Sequence, residues 1–434
     1  MKPIFQTAAV LLLGGLAGVL HGGAARPAMA PPAAQPGDAG AQEVGAPAPA
    51  PSTAQEDPRS LMLAFSKATI TRWPDGRFVA PGAPWRWNYE LGVLLEGMDA
   101  AWKVSGDPED YGYIRDSMDP FLSPNGTIFT YKEDERQLDN ILPGRQLLLL
   151  YGTTHDPRYA TAAAVLYRQL KRQPRTRSGG FWHKQRYPNQ MWLDGLYMAE
   201  PFYAQYASMF HHPRAFADIT HQFVLMRQHA YDPATGLLFH GWDESKRQRW
   251  ANPKTGTSSQ IWARGVGWYL MALVDTLPYL PANDPGRETL LRILRREAAA
   301  VNRYQSAGSG LWYQVMDKAG APGNYPESSA SCMFVYALAK GVRLGYLPRQ
   351  DLAAAERGYQ GIVRRFVKVG ADGSMNLTGT VQAAGLGGNP YRDGSYEYYL
   401  SEKVVSNDPK GVGAFLLASA ELARLSGDGT AAAR

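Results

Sequence analysis

Two neighbouring stretches show the pattern from which the fold is predicted: residues 265–273 read GVGWYLMAL, and residues 287–297 read RETLLRILRRE. The first stretch is apolar on all sides of a helix, which predicts a buried helix. The second carries its charges on one face, which predicts a helix that is half exposed to water. Pro285 lies between them, and proline is favoured at the first position of a helix. We therefore expect the fold to be built from pairs of one buried and one half-exposed helix.

The same pair recurs along the chain from about residue 58, and prolines mark the start of the second helix at Pro108, Pro157, Pro213, Pro285 and Pro348. The buried helices are predicted near residues 89–104, 139–151, 190–209, 264–278, 328–344 and 411–425. Their partners are predicted near residues 108–121, 157–172, 213–229, 285–303, 349–366 and, closing a ring, 58–71. This pattern predicts an all-α fold, an (α/α)6 barrel of six helical hairpins. An open α-solenoid has the same periodicity and is the alternative.

Two segments between the pairs break the helical period, residues 236–242 and 310–316. Both follow turns that contain glycine and alternate enough to predict short strands or hairpins. Each joins a half-exposed helix to the next buried one. We therefore expect these strands and loops at the N-terminal ends of the buried helices, where they build one mouth of the barrel.

Composition excludes several classes of protein. The 434 residues carry a formal net charge of +6, but no block concentrates the basic residues, so a nucleic-acid partner is not expected. A single cysteine, Cys332, excludes a disulfide framework, and its apolar surroundings predict an inert core position. The sequence contains no HExxH, P-loop, cysteine cluster or Gly-x-Ser-x-Gly motif, so metal, nucleotide and serine-nucleophile chemistry are not expected.

The N-terminal segment is typical of an exported protein. Residues 1–30 combine Lys2, an apolar run at residues 8–20 and the small-residue site Ala28-Met29-Ala30, which predicts a cleaved signal peptide. An uncleaved anchor is the alternative, although the run is short for a membrane span. Residues 31–57 are rich in Ala and Pro and predict a disordered linker, followed by one barrel domain at residues 58–434. We expect a periplasmic or secreted protein with no membrane attachment after cleavage; the sequence does not indicate its oligomeric state.

Carboxylates among aromatic residues remain as candidates for chemistry, and paired carboxylates are usual in sugar-cleaving sites. Asp194 falls in the first turns of a buried helix at the predicted mouth, and Asp139 opens another. Desolvation by Trp192 raises the pKa of a proton donor, whereas the helix dipole lowers it; the sequence leaves this balance open. The alternative for both aspartates is simple capping of helix amides.

Other candidates lie near the same mouth. Arg264 and Trp268 are four residues apart on one helical face; a guanidinium suits a carboxylate and an indole suits a sugar face. His183 and His240 lie in non-helical segments that lead to the mouth, and Tyr89 opens the first buried helix. Core packing is the alternative for Trp268 and Tyr89, and structural hydrogen bonding is the alternative for the histidines.

Four stretches, in the same order, resemble glycoside hydrolase family 105, the unsaturated rhamnogalacturonyl hydrolases: YPNQMWLDGLYM (187–198), HGWD (240–243), WARGVGW (262–268) and NDPKGVG (407–413). The similarity spans about residues 60–425. It implies an (α/α)6 barrel and chemistry that needs neither a metal nor a redox cofactor. The implied substrate is a small lyase-generated oligosaccharide that ends in an unsaturated uronic acid. The alternatives are an unsaturated glucuronyl hydrolase acting on glycosaminoglycan fragments and an inactive sugar-binding barrel.

The resemblance also implies roles for individual residues. Asp194 matches the proton donor, which would protonate C4 of the C4=C5 double bond while water adds at C5. Asp139 matches a second acidic position, which could hold the sugar or share the proton of Asp194. The matched substrate-contacting positions are Tyr89, His183, His240, Trp262, Arg264 and Trp268. Of these, we expect Arg264 beside the uronate carboxylate and Trp268 stacked on the sugar.

Overall fold

The computed structural model describes residues 57–78 and 85–431, with side chains to residue 427. The predicted signal peptide and the predicted linker up to residue 56 lie outside the described residues. Asp57, the last residue assigned to that linker, caps the first helix through the amide of Ser60. In the described part of the chain, no helix combines the length and the apolar character that a membrane crossing requires.

Thirteen α-helices form within the described residues. In chain order they are α1 (Pro58–Arg72), α2 (Tyr89–Ser105), α3 (Pro108–Met118), α4 (Gly144–Thr154), α5 (Pro157–Arg172), α6 (Leu193–Met209), α7 (Ala215–Ala230), α8 (Ala263–Thr276), α9 (Pro285–Arg303), α10 (Ser328–Arg343), α11 (Leu352–Phe366), α12 (Tyr396–Ser401) and α13 (Pro409–Ala431). The predicted helix pairs are all present, and α12 is a short addition that the sequence did not indicate.

The buried helices form a closed ring. Starting at α2, each packs against the next in the order α4, α6, α8, α10 and α13, and α13 packs back against α2. The half-exposed helices lie around this ring, each against a member of it. Closure between α13 and α2 distinguishes a barrel from an open solenoid, so the predicted (α/α)6 barrel is confirmed. Cys332 is fully buried in α10, as predicted.

Asp-Pro pairs start four of the outer helices, α1, α3, α5 and α9. The carboxylates of Asp107, Asp156 and Asp284 each accept a backbone N–H two residues on, which satisfies an amide that the helix leaves unpaired. Two predicted starts come later than expected. After Pro213 the helix begins at Ala215, and after Pro348 a 3-10 turn delays α11 to Leu352.

Short antiparallel strands lie between the helices: β1 (Gln190–Trp192) with β2 (Gly241–Asp243), β3 (Val367–Val369) with β4 (Met375–Leu377), and β5 (Thr380–Val381) with β6 (Val404–Val405). The strand predicted at residues 236–242 is therefore present only from Gly241 onward. The strand predicted at 310–316 is wrong: the chain there makes single bridges, Trp262 to Val315 and Tyr313 to Pro326. These strands and loops lie at the N-terminal ends of the inner helices, as predicted.

A buried glutamate makes stability depend on pH. Glu297 of α9 is fully buried; its Oε1 accepts the Arg227 Nε–H at 2.9 Å, and its Oε2 has no partner within the described part of the chain. Burial, against the opposing pull of Arg227, raises the pKa of Glu297 to about 7. The unfolded chain releases this proton at a pKa of about 4.3, so the folded state holds more protons between those values and stability falls as pH rises.

We therefore expect Glu297→Gln, which stays neutral, to reduce the loss of melting temperature between pH 5 and pH 7.5. Glu288→Gln on the exposed side of the same helix is the matched control and should leave that loss unchanged. An identical pH dependence in wild type and Glu297→Gln would contradict this origin of the pH effect.

Candidate active site

A cavity of about 670 Å³ opens at the end of the barrel where the inner helices begin. This volume lies within the range of small-molecule sites. Its walls come from the N-terminal ends of α2 and α6, the turn before α4, the segment leading into β1 and the loop before α12. The lining residues are Tyr89, Asp139, His183, Lys184, Arg186, Tyr187, Trp192, Asp194, Met198, Ala383, Ala384, Gly388, Asn389, Pro390 and Arg392.

Asp194 is the carboxylate at the start of α6. It does not cap its own helix; instead its Oδ2 lies 3.0 Å from Nε2 of the fully buried His240. The other ring nitrogen of His240, Nδ1, lies 2.6 Å from the Tyr399 hydroxyl. The backbone N–H of Leu193 donates to the His240 carbonyl at 3.0 Å, which ties the two chain segments together. Asp194 is thus fixed by a chain of hydrogen bonds that reaches α12.

Opposing influences set the pKa of Asp194. Burial is the largest single influence and raises this pKa, whereas the charge and hydrogen bond of His240, aided by His183, lower it. The balance places the pKa of Asp194 below its usual range. In the unliganded protein this carboxyl is therefore an anion near neutral pH, held by the histidine beside it.

Asp139 lies in a 3-10 turn, Leu138–Asn140, just before α4 and not within the helix. Its carboxylate accepts a hydrogen bond from Lys184 Nζ and lies 3.3 Å from His183 Nε2. Burial raises the pKa of Asp139, but Lys184 and His183 outweigh burial and place that pKa below the usual range. Burial lowers the pKa of His183 to about 4, so this ring is neutral at neutral pH.

Tight packing brings His183 into the site. Its ring stacks on Trp192 with centroids 4.4 Å apart, and its Nδ1 lies close to Gly195. A Cβ atom on Gly195 would approach Nδ1 to 3.1 Å, closer than ordinary van der Waals contact. Gly195 has no side chain and therefore leaves room for the His183 ring beside Asp194.

Three cations line the cavity. Lys184 is paired with Asp139, whereas Arg186 forms no ion pair within the described residues. Arg392 is held by the Leu386 and Gly387 carbonyls and by the Tyr187 hydroxyl, 3.0 Å from Nη2. Its guanidinium also lies over the Trp192 ring. These contacts fix Arg392 at the wall, where it can bind an anion.

The predicted site residues fall into two groups. Tyr89, Asp139, His183 and Asp194 line the cavity, and His240 lies directly behind Asp194. Trp262, Arg264 and Trp268 do not line it and are each at most 2% exposed.

The buried members of the second group have partners in the core. Arg264 donates to the Val381 carbonyl and to Ser329 Oγ at 3.2 Å, and lies 3.8 Å from the buried Glu327. Trp268 lies one turn deeper in α8 and stacks on Tyr197 at 5.0 Å. The expectation that Trp268 stacks on a sugar and that Arg264 meets the carboxylate has no support in this geometry; Arg264 is already neutralised by protein groups.

Sequence reasoning did not single out Lys184, Arg186, Tyr187, Trp192 and Arg392 as site residues. The first four lie within residues 181–192, which read FWHKQRYPNQMW, and this density of aromatic residues just before Asp194 was a usable signal. Arg392 follows the glycine-rich turn at residues 385–388, which lies outside the stretches that indicated the candidate site. In the structure this turn forms a wall of the cavity.

Comparisons with known proteins identify relatives of this chain. The model of Glycosyl Hydrolase Family 88 matches residues 62–426. A solved structure, a family 105 glycoside hydrolase from C. acetobutylicum ATCC 824, is 42% identical with a TM-score of 0.80; the match covers 83% of this chain and 98% of that one. The 24.9 kDa protein in the picA locus of Rhizobium radiobacter is 44% identical over 230 residues, which are 52% of this chain and 97% of the relative.

A third relative is more distant and carries a functional name. The unsaturated rhamnogalacturonyl hydrolase YesR of Bacillus subtilis is 27% identical over 271 residues, which are 59% of this chain and 72% of the relative. The family model spans well over half of the chain, and the match to the 42% identical structure takes in nearly all of that structure. The chain therefore belongs to the glycoside hydrolases described by the family 88 model and, among them, to family 105.

Proposed function

We propose that the protein removes a 4,5-unsaturated uronic acid from the non-reducing end of lyase-generated oligosaccharides, with rhamnogalacturonan fragments as substrates. The observation that carries this proposal is the position of Asp194, a buried carboxyl in the cavity wall that is joined to His240. Family membership supports the reaction class. The name of the Bacillus subtilis relative supports rhamnogalacturonan as the source of the substrate.

In the proposed reaction the Asp194 carboxyl donates its proton to C4, and the π electrons of the C4=C5 bond form the new C–H bond. The positive charge that develops at C5 is shared with the ring oxygen. Water then adds at C5 and its proton returns to the Asp194 carboxylate. The resulting hemiketal opens to a C5 ketone, which leaves C1 as an open-chain hemiacetal. This hemiacetal releases the rest of the oligosaccharide as an alcohol, so the net change is addition of water.

The proton donor has to be protonated when the substrate is bound, although the pKa of Asp194 is low in the unliganded protein. A uronate brings a carboxylate into the cavity and displaces water, and both changes raise the pKa of a neighbouring acid. Substrate binding thus favours the protonated form of Asp194. His240 and Tyr399 hold the carboxyl in place during this change.

The cations of the cavity give the uronate carboxylate its binding place. Lys184 is already paired with Asp139, and Arg264 lies in the core. Arg392 is pre-positioned by three hydrogen bonds through Nε and Nη2, and its Nη1, which takes part in none of them, can donate a charge-assisted hydrogen bond to a carboxylate. We assign the carboxylate to Arg392, with Arg186 at the outer side of the cavity.

The test uses the purified protein and two unsaturated disaccharides, one from a rhamnogalacturonan lyase and one from a glycosaminoglycan lyase. Hydration destroys the conjugated acid, so its ultraviolet absorbance measures turnover. We expect loss of absorbance with the rhamnogalacturonan product. Turnover of the glycosaminoglycan product alone would instead identify a glucuronyl hydrolase, and binding without turnover of either would identify a sugar-binding barrel.

We also propose that the protein acts in the periplasm or outside the cell. The signal-peptide pattern of residues 1–30 supports this. Fractionation of the producing cells and N-terminal sequencing of the mature protein test it, with cleavage after Ala30 expected. A cytoplasmic protein that retains Lys2 would contradict it.

A further inference from the structure

A second cavity, of about 270 Å³, lies beside the first. It is lined by Arg177, Asn189, Glu244, Ser245 and Arg247. The turn at residues 186–189 separates the two cavities: Arg186 and Tyr187 line the first, and Asn189 lines the second. Three peptide units span at most about 11 Å, so the two cavities are close neighbours along this turn.

The two arginines of the second cavity are available to a ligand. Both residues are exposed, and within the described part of the chain neither guanidinium forms a hydrogen bond or an ion pair. Exposed arginines elsewhere in the molecule commonly do: Arg168, for example, is paired with Glu133 at 2.7 Å. Arg177 and Arg247 thus form a local positive site at the mouth.

Glu244 also lines this cavity, but its carboxylate is already engaged. Oε2 accepts the backbone N–H of Arg177 at 2.6 Å, and Oε1 accepts the N–H and hydroxyl of Ser178 at 2.9 and 2.5 Å. These bonds hold the backbone that carries Arg177. The carboxylate therefore acts as a clamp for the site, and the cavity keeps an excess of one positive charge.

Arg247 is held in an equally ordered turn. The fully buried carboxylate of Asp243 accepts the backbone N–H groups of Ser245, Arg247 and Gln248 at 2.8–2.9 Å. Because Asp243 ends β2, which pairs with β1 beside Asp194, this turn is anchored to the same strands as the first cavity. The two arginines are therefore carried on rigid backbone.

We propose that this second cavity is a subsite for the carboxylate of a sugar farther along the same substrate, so that the preferred substrate is an acidic oligosaccharide of three or more residues. The proposal rests on the function proposed above. In this proposal the unsaturated uronate lies at Asp194, an intervening sugar crosses the turn at 186–189, and a second uronate reaches Arg177 and Arg247. Paired guanidinium groups bind carboxylates with defined geometry, which suits this role.

The test compares an unsaturated disaccharide with an unsaturated tetrasaccharide in which uronic acids alternate with neutral sugars. We expect the wild type to have the higher kcat/KM for the tetrasaccharide. The double variant Arg177→Ala/Arg247→Ala should lose roughly tenfold in kcat/KM on the tetrasaccharide, as two exposed ion pairs allow, and less than twofold on the disaccharide. The advantage of the longer substrate should also shrink at high salt.

Two comparison variants make the result specific. Arg292→Ala/Arg296→Ala removes the same charge from the exposed face of α9 and should leave both substrates unaffected. Arg392→Ala should impair both substrates to the same extent, because each places its unsaturated uronate in the first cavity. Equal kcat/KM for the two substrates in the wild type, or equal losses in the Arg177/Arg247 variant, would overturn the subsite.

Binding separates this inference from the function on which it rests. If the wild type turned over neither substrate, the proposed function would fail, and calorimetry would then decide the subsite alone. Tetrasaccharide binding to Asp194→Asn that weakens on adding the two arginine changes supports the subsite. Binding that is unchanged by them refutes it.

Discussion

Replacing Asp194 by asparagine is expected to lower kcat by about 10²–10⁴-fold, the usual contribution of a general acid. The amide oxygen can still accept a hydrogen bond from His240 Nε2, so the geometry survives while the transferable proton is lost. Turnover is followed by the absorbance of the unsaturated disaccharide. The melting temperature of the variant verifies that the fold is retained.

Asp116→Asn is the matched control for this experiment. This substitution makes the same chemical change on α3, where the Asp116 carboxylate is exposed to solvent and lines neither cavity. Its activity should equal that of the wild type. If Asp194→Asn retained kcat within twofold, the proposed proton transfer to C4 would be wrong.

Replacing Asp275 by alanine is expected to lower the free energy of unfolding by a large amount. Asp275 near the end of α8 is 1% exposed and accepts hydrogen bonds from Arg145 at 2.8 Å, Lys340 at 2.7 Å and Tyr336 at 2.6 Å. Asp275→Ala leaves two cations without this buried partner, and breaking such a pair costs about 3–5 kcal/mol. We expect guanidinium denaturation to show this loss. Folded protein should retain its kcat, because these residues do not line the candidate active site.

Asp99→Ala is the control at the same end of the barrel. Asp99 pairs with the half-exposed Lys103 one helical turn away, and such surface pairs contribute less than about 1 kcal/mol. Equal midpoints for Asp275→Ala and Asp99→Ala would show that the buried network is not needed for stability.

The Asp275 carboxylate also makes the stability of the protein fall at low pH. Burial opposes ionisation of Asp275, but Lys340 and Arg145 outweigh it and lower its pKa to about 2. The stabilisation is therefore complete above the unfolded pKa near 3.9 and disappears as pH falls towards 2.

Local chemistry explains how much of the fold the sequence predicted. Helix pairs and their starts follow from apolar periodicity and from Asp-Pro caps, which act within a few residues. Ring closure between α13 and α2 joins residues more than 300 positions apart, and the helical periodicity of the sequence does not indicate this contact. Strands β1 and β2 were less predictable because their pairing partners lie far apart in sequence, as Met191 and Trp242 do.

The sequence likewise predicted some residues of the candidate site and missed others. Asp194, Asp139 and His183 could be placed because each lies where an inner helix or its preceding loop meets the mouth. Every residue of α8 is buried, so the pattern could not tell whether Trp268 faces the cavity or the core. Arg392 is positioned by Tyr187, which lies 205 residues earlier, and only the folded chain brings them together.

Closure of the ring by α13 has a consequence for the order of folding. Until α13 docks, the apolar flanks of α2 and α10 have no neighbour to cover them. Segments that fold before α13 therefore form an open ring with exposed apolar surface, which favours aggregation. A chain truncated before residue 409 should accordingly aggregate on refolding, whereas the chain that includes α13 should remain in solution.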